Sequence, residues 1–248
     1  MGWTAADYDP ELARIRSWLK VYSPSTKDIW LTEYFRYSDI DRQRIRARNL
    51  IVALGNADFI MQNLMAHDLT SAQHFGFNCG GTGTVFPGNN KVYHGQKIPE
   101  GLVVRFPVHW VFALFGASTF HDAGGLILNP VTQCSQYQVM GHSIPVLRAV
   151  AAMNQDNSKV DILLLNKNLE AAVNVTIQLT APGKKVAAVK ATEFNSKKTD
   201  SNYPLFDEND LVTQNVHVEK MPSPLVEGET IQGALAPHSL TLYSCELR

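Results

Sequence analysis

The sequence predicts a chain in two parts, an α/β region over residues 1–123 and an antiparallel β-sandwich over residues 124–248. In the first part, strand-like and helical patterns alternate, which is typical of a parallel sheet covered by helices. In the second part, about eight short strand-like runs follow one another between turn residues, which is typical of a sandwich. The predicted fold class is therefore α/β plus all-β.

The composition excludes several classes of function. Of the 248 residues, 45% are hydrophobic and 18% are charged, and the formal net charge is −1. Because the chain contains no Lys/Arg-rich run, we expect no nucleic acid and no membrane as a partner. No apolar run approaches the roughly 20 residues that span a bilayer. The N-terminal residues carry too many charges for a signal peptide, and the localisation stays open.

The three cysteines, Cys79, Cys134 and Cys245, are odd in number and far apart in the sequence. This spacing suits neither a disulfide framework nor a metal site of the CxxC type. We therefore expect reduced structural thiols, and the sequence predicts no metal and no cofactor.

The most informative segment is the predicted strand 29–34, which reads Ile-Trp-Leu-Thr-Glu-Tyr. Alternate side chains of a strand point the same way, so Glu33 shares a face with Ile29 and Leu31. A carboxylate at the end of an apolar strand is costly to desolvate unless it meets water, a partner or a substrate. Glu33 is therefore either an ordinary solvent-facing residue or a catalytic group at the C-terminal mouth of a barrel strand.

Helices and strands are predicted on both sides of this segment. The hydrophobic periodicity predicts a helix over 10–20, a long amphipathic helix over 41–66 and a buried helix over 107–117. A strand is predicted over 69–77, followed by a long loop that opens at Asn78, and loops of this length are usually functional. In the second part, strands are predicted over 125–128, 147–154, 160–166, 171–179, 186–192, 211–220, 230–235 and 240–245.

Together, the sequence Trp30-Leu31-Thr32-Glu33-Tyr34, the helix and strand that follow it and the closing segment around Pro237-His238-Ser239 resemble one known arrangement. This arrangement is similar to the C-terminal portion of an α-L-arabinofuranosidase-type glycoside hydrolase of family 51, or of a close relative in the same clan. The resemblance implies that strand 29–34 is the seventh strand of a (β/α)8 TIM barrel and that Glu33 is the catalytic nucleophile. It also implies a β-sandwich after the barrel.

Only Glu33 is carried over from the family's motif. His74 and Asn78, near the mouth end of the next predicted strand, are candidate substrate contacts from their position alone, and a structural His74 in the core is the alternative. Trp30 and Tyr34 face away from Glu33 and are expected to pack against other residues. Tyr34 is also a candidate substrate contact, because it stands at the strand end, within reach of the mouth.

The sequence departs from the family in its length. A complete TIM barrel needs about 250 residues, whereas 123 precede the predicted sandwich. The first six strands have no counterpart, and neither does the Asn-Glu motif that supplies the acid/base in such enzymes; Glu11, Glu100 and Asp122 lack its pattern. The sequence therefore predicts an incomplete barrel, whose partner is the missing N-terminal barrel half or a completing polypeptide. The expected substrate is a carbohydrate. The chain alone is expected to hydrolyse little or none of it.

Two other functions stay open. The first is a non-catalytic carbohydrate-binding or structural module built on the sandwich. A row of exposed aromatic residues would favour it, but beyond residue 145 the aromatic residues are few: Phe194, Tyr203, Phe206 and Tyr243. The second is another enzyme of the same clan, such as an endoglucanase, xylosidase or glucuronidase relative, which would use the same strand-end Glu.

Overall fold

The computed structural model describes residues 5–26, 28–34, 50–66, 69–74, 85–87, 90, 92–93, 96–122, 124–139, 141–168, 170–180, 183–196 and 216–248. Its helices in these ranges are α1 (Ala5–Tyr22), α2 (Leu50–Met65) and α3 (Pro107–Gly116), with a 3-10 turn at Thr119–His121. None of these helices is long and apolar enough to cross a membrane. The strands are β1 (Ile29–Tyr34), β2 (Leu69–His74), β3 (Val85–Pro87), β4 (Val92–Tyr93), β5 (Gln96–Lys97), β6 (Val103–Arg105), β7 (Leu126–Leu128), β8 (Gln136–Val139), β9 (His142–Pro145), β10 (Leu147–Met153), β11 (Lys159–Asn166), β12 (Val173–Gln178), β13 (Val186–Ser196), β14 (Val216–Met221), β15 (Leu225–Glu227), β16 (Thr230–Leu235) and β17 (Ser239–Leu247).

The first part contains a β-α-β unit. β1 and β2 pair in parallel, and α2 forms the connection between them, as parallel pairing requires a crossover. This confirms the strand predicted over 29–34 and the parallel sheet. The predicted helix and the second strand are confirmed as far as the described residues reach, because residues 41–49 and 75–77 lie outside them. α1 extends beyond the helix predicted over 10–20 at both ends.

The second part is built from antiparallel sheets. One has six strands in the order β14-β13-β17-β11-β10-β7, and the other has three in the order β12-β16-β15. All eight predicted strands have a counterpart; the one predicted over 211–220 is described from Val216 onward. The β8–β9 hairpin and β15 were not predicted, because they are short and only weakly alternating in polarity.

The long loop predicted after residue 77 is wrong for part of its length. Within the described residues it contains two short antiparallel pairs, β3 with β6 and β4 with β5. Strands of two or three residues are too short to show an alternating pattern in the sequence.

The six-stranded sheet is covered on both faces. Val150 and Leu163 point to one face and share a hydrophobic cluster with α2 and α3. Ala151 and Leu164, the next residues along β10 and β11, point to the other face and pack against β12 and β16 of the three-stranded sheet. A strand that is buried on both faces needs apolar residues at successive positions. The arrangement is therefore sandwich-like, with a helical layer added outside the larger sheet.

The helical layer joins the two parts of the chain. α2 and α3 precede the boundary predicted at residue 123, whereas the sheet strands that they contact follow it. The division into domains 1–123 and 124–248 stays a prediction.

The two sheets approach each other closely where Gly233 of β16 faces Tyr243 of β17. A Cβ added at Gly233 would meet the hydroxyl of Tyr243 at clashing distance and lie 3.2 Å from its Cζ. Because Tyr243 is only 2% exposed, its ring has little room to move. Only glycine fits at this point of β16.

We expect Gly233→Ala to lower the free energy of unfolding by about 1–3 kcal/mol, as overpacking of a core does. Adding Tyr243→Phe removes the clashing hydroxyl and should restore part of the loss. The control is Gly116→Ala at the end of α3, where a Cβ meets nothing within 4 Å. Urea unfolding of the variants measures the effect, and an equal loss in the two single variants would contradict the proposed close approach.

The two described cysteines differ in exposure. Both are free thiols, as predicted; Cys134 is half-buried and Cys245 is buried, while Cys79 lies outside the described residues. Burial raises the pKa of the Cys245 thiol to about 12. Because the thiolate is the reactive form, we expect iodoacetamide at about pH 8 to label Cys134 in the folded chain and Cys245 only after unfolding. Peptide mass spectrometry distinguishes the two sites, and equal labelling rates in the folded chain would show that Cys245 is accessible.

Candidate functional site

The parallel pair β1–β2 brings three of the predicted site residues to one edge. Tyr34, the last residue of β1, pairs with His74, the last described residue of β2. Glu33 immediately precedes Tyr34. Since parallel strands run the same way, their carboxyl ends lie at the same edge of the sheet. The structure therefore places the backbone of Glu33, Tyr34 and His74 together, whereas Asn78 lies outside the described residues.

The strand pairing is irregular in the segment that contains Glu33. The register shifts between Leu31 and Tyr34, and again between Ile29 and Trp30. Such irregularities often lie next to active sites, where they redirect a side chain or end the pairing. The simple alternation that places Glu33 on the face of Ile29 and Leu31 thus stays a prediction.

The packing role predicted for Trp30 is wrong. Its side chain is 65% exposed, and β1 pairs only with β2 among the described strands. Three residues of the last turns of α1 are also largely exposed, namely Trp18 at 54%, Val21 at 69% and Tyr22 at 81%.

α2 fixes the β1–β2 pair to the rest of the molecule. Leu54, Ala57 and Met61, at most 3% exposed, lie on its buried stripe and pack in the cluster that includes α3 and the six-stranded sheet. The amphipathic character predicted for this helix is therefore confirmed over the described residues, and its apolar face is the docking face. The helix also carries buried polar residues, of which Asp58 is charged.

Asp58 forms buried ion pairs with two cations of the sheet, and these three residues are called the Asp58 cluster. Arg148 of β10 donates its Nε–H to Oδ1 of Asp58, and Nζ of Lys167, just after β11, lies 3.6 Å from Oδ2. The side chains of Arg148 and Lys167 are 10% and 7% exposed. Burial lowers the pKa of Lys167, and the negative charge of Asp58 opposes this shift.

The Asp58 cluster was not predicted from the sequence. The available signal was an acid beside the apolar stripe of α2, and basic residues near the ends of two apolar strands. The signal does not say which residues pair, because Asp58 and Arg148 are 90 positions apart.

Of the other carboxylates considered for an acid/base role, the structure describes the side chains of Glu100 and Asp122. Oε2 of Glu100 accepts a hydrogen bond of 2.9 Å from Nδ2 of Asn90. Oδ1 of Asp122 lies 3.9 Å from Nδ1 of His121, and both side chains are largely exposed. In the described part of the chain, no group of three or more His, Cys, Asp or Glu residues could hold a metal ion.

The fold is similar to that of family 51 arabinofuranosidases. The GH51 arabinofuranosidase from Xanthomonas axonopodis pv. citri matches 96% of this chain and 45% of its own, with a TM-score of 0.73 and 18% identity. The α-L-arabinofuranosidase from Thermotoga maritima matches 96% and 48%, with a TM-score of 0.72 and 14% identity. The thermostable enzyme from Thermotoga petrophila matches 98% and 49%, with a TM-score of 0.70 and 15% identity.

The resemblance predicted from the sequence is thus confirmed at the level of the fold. This chain spans slightly less than half the length of these enzymes, as expected for the predicted C-terminal portion. No protein-family model and no curated protein matches the sequence.

We expect Asp58→Asn to destabilise the chain by about 3–5 kcal/mol, because it leaves two buried cations without their counter-charge. The matched control is Glu246→Gln, which breaks an ion pair with Lys190 whose side chains are 56% and 75% exposed. Exposed pairs contribute about 0–1 kcal/mol. Urea unfolding compares the two variants, and similar losses would show that the Asp58 cluster does not hold α2 on the sheet.

Proposed function

We propose that this chain is the C-terminal portion of a retaining glycoside hydrolase that acts on α-L-arabinofuranosyl linkages in polysaccharides, with Glu33 as its nucleophile. The observation that carries the proposal is the position of Glu33 at the carboxyl end of a parallel strand, in a chain whose fold matches arabinofuranosidases over nearly its whole length. Catalytic residues of barrel enzymes come from the carboxyl ends of the strands. His74, Tyr34 and Asn78 are the proposed substrate contacts.

In a retaining mechanism, the carboxylate of Glu33 attacks the anomeric carbon and a covalent glycosyl-enzyme forms. A second carboxylic acid, about 5–5.5 Å away, protonates the leaving oxygen and later activates water. No residue of this chain is assigned to that role. The missing acid removes general acid–base assistance of about 10²–10⁴-fold.

The proposed partner is a polypeptide that completes the barrel, either the N-terminal half of the same protein or a separate chain. A parallel sheet is usually covered on both faces and has several strands, whereas the described pair β1–β2 has two. The exposed side chain of Trp30 and those of Trp18, Val21 and Tyr22 offer apolar surface for such a partner.

The alternative of a carbohydrate-binding module on the sandwich is less well supported. Such a module stacks sugar rings on exposed aromatic side chains, but Phe194 is fully buried and Tyr243 is 2% exposed. Tyr203 and Phe206 lie outside the described residues. A second possible activity is that of a xylanase, which would also use Glu33 as the nucleophile. A family 30 xylanase from Clostridium acetobutylicum matches the fold with a TM-score of 0.55 and 13% identity.

The test is hydrolysis of an aryl α-L-arabinofuranoside. The chain alone should give little or no turnover with a 4-nitrophenyl leaving group, because the acid and most of the barrel wall are missing. A 2,4-dinitrophenyl leaving group needs no protonation, so we expect slow covalent labelling of Glu33, detected by peptide mass spectrometry. Glu33→Gln should abolish the labelling, and the control Glu100→Gln should leave it unchanged. Robust hydrolysis that persists in Glu33→Gln would remove Glu33 from its role.

A further inference from the structure

A second polar site lies beside the Asp58 cluster. A cleft of about 510 Å³ opens between the end of α2, the segment 129–136 and the start of β10. Arg148 lines it together with Met65, Asn129, Thr132, Gln133 and Gln136. These six residues define the Arg148 cleft.

The Arg148 cleft lies at the opposite end of the β-α-β unit from Glu33. α2 returns the chain from the carboxyl end of β1 to the amino end of β2, and Met65 is its last residue. Glu33 stands near the carboxyl end of β1, and a six-residue strand is about 20 Å long. The cleft is therefore a separate site from the proposed active site.

Arg148 lines the cleft and Lys167 does not, but together these two cations have more charge and more donor hydrogens than Asp58 satisfies. Arg148 and Lys167 carry two positive charges against the single negative charge of Asp58. Nη2 of Arg148 and Nζ of Lys167 are buried and have no hydrogen-bond partner among the described residues. Buried donors without acceptors are costly, and a guanidinium has the planar donor geometry that matches a carboxylate. The unbalanced charge of +1 matches one carboxylate.

Four further residues of the lining suit a neutral polar group, whereas Pro130, Pro145, Leu147 and Ala149 add apolar surface. Asn129, Gln133 and Gln136 provide amides and Thr132 provides a hydroxyl, and all four residues are exposed. Side chains of these types both donate and accept hydrogen bonds, as sugar hydroxyl groups require. Cys134, which also lines the cleft, is close enough to Lys167 to influence its pKa.

We propose that the Arg148 cleft binds a small sugar acid, with the carboxylate on Arg148, the charge reinforced by Lys167, and the hydroxyl groups on the amide side chains of the lining. Binding at this site does not depend on catalysis by Glu33. A failure of the proposed hydrolase activity would therefore leave this proposal unchanged, and the reverse also holds.

The test is isothermal titration calorimetry of the full chain with galacturonate, and with galactose as the uncharged match. We expect galacturonate to bind and galactose to show no binding. Arg148→Gln should weaken galacturonate binding by about ten- to a hundredfold, the contribution of a hydrogen bond to a charged group. Lys190→Gln, which removes an exposed cation of the same sheet, is the matched control and should bind as the unmodified chain does.

If Arg148→Gln fails to fold, Gln133→Ala tests the same site, because it removes an exposed lining amide and leaves the Asp58 cluster intact. It should weaken galacturonate binding severalfold. Absence of galacturonate binding at millimolar concentration, equal binding of galactose, or unchanged affinity in the lining variants would overturn the proposal. Inorganic phosphate that displaces galacturonate with equal affinity would also overturn it, since the cleft would then select charge and not a sugar acid.

Discussion

The buried carboxylate of Asp58, shared by Arg148 and Lys167, is the constraint on which the arrangement of the molecule depends. α2 has two tasks, since it connects β1 to β2 and also covers one face of the six-stranded sheet. Apolar contacts are non-directional, so they do not by themselves require particular residues of the helix and the sheet to pair. Charges that are removed from water must be paired, so the Asp58 cluster selects one position of α2. The strand that carries Glu33 is thereby fixed relative to the sheet.

The larger sheet can support this arrangement because its two faces have different partners. Val150 and Leu163 face the helices, while Ala151 and Leu164 face the smaller sheet. β11 also carries the acidic residue Asp161, which is fully buried. Its Oδ2 accepts a hydrogen bond of 2.7 Å from the backbone N–H of Thr119, and Nζ of Lys159 lies 2.9 Å away. A second buried carboxylate thus ties the segment after α3 to the same face on which α2 lies.

The sequence was sufficient to predict the helices and strands that local residue patterns encode. The alternation and the apolar run of residues 29–34 predicted β1, and the hydrophobic periodicity of residues 41–66 predicted an amphipathic α2. Features that depend on distant residues were missed. The pairing of Asp58 with Arg148 requires knowledge of the tertiary fold, and the exposure of Trp30 follows from what lies beside β1, not from its own residues. The nucleophile role proposed for Glu33 comes from the family resemblance, because a single acid at a strand end is ambiguous by physical argument alone.

The two ends of the β-α-β unit therefore differ in what this chain supplies. At the carboxyl end, Glu33, Tyr34 and His74 come from two strands, and the chemistry of a retaining glycosidase needs a second carboxyl group and walls that orient the sugar. At the amino end, the Arg148 cleft is lined by residues of this chain from α2, from the segment after β7 and from β10. Catalysis depends on contributions from several strands of a barrel, whereas binding of an anion needs only a charge, a few donors and a cavity. We therefore propose that this chain binds a ligand by itself at one end of the unit and depends on a partner for hydrolysis at the other.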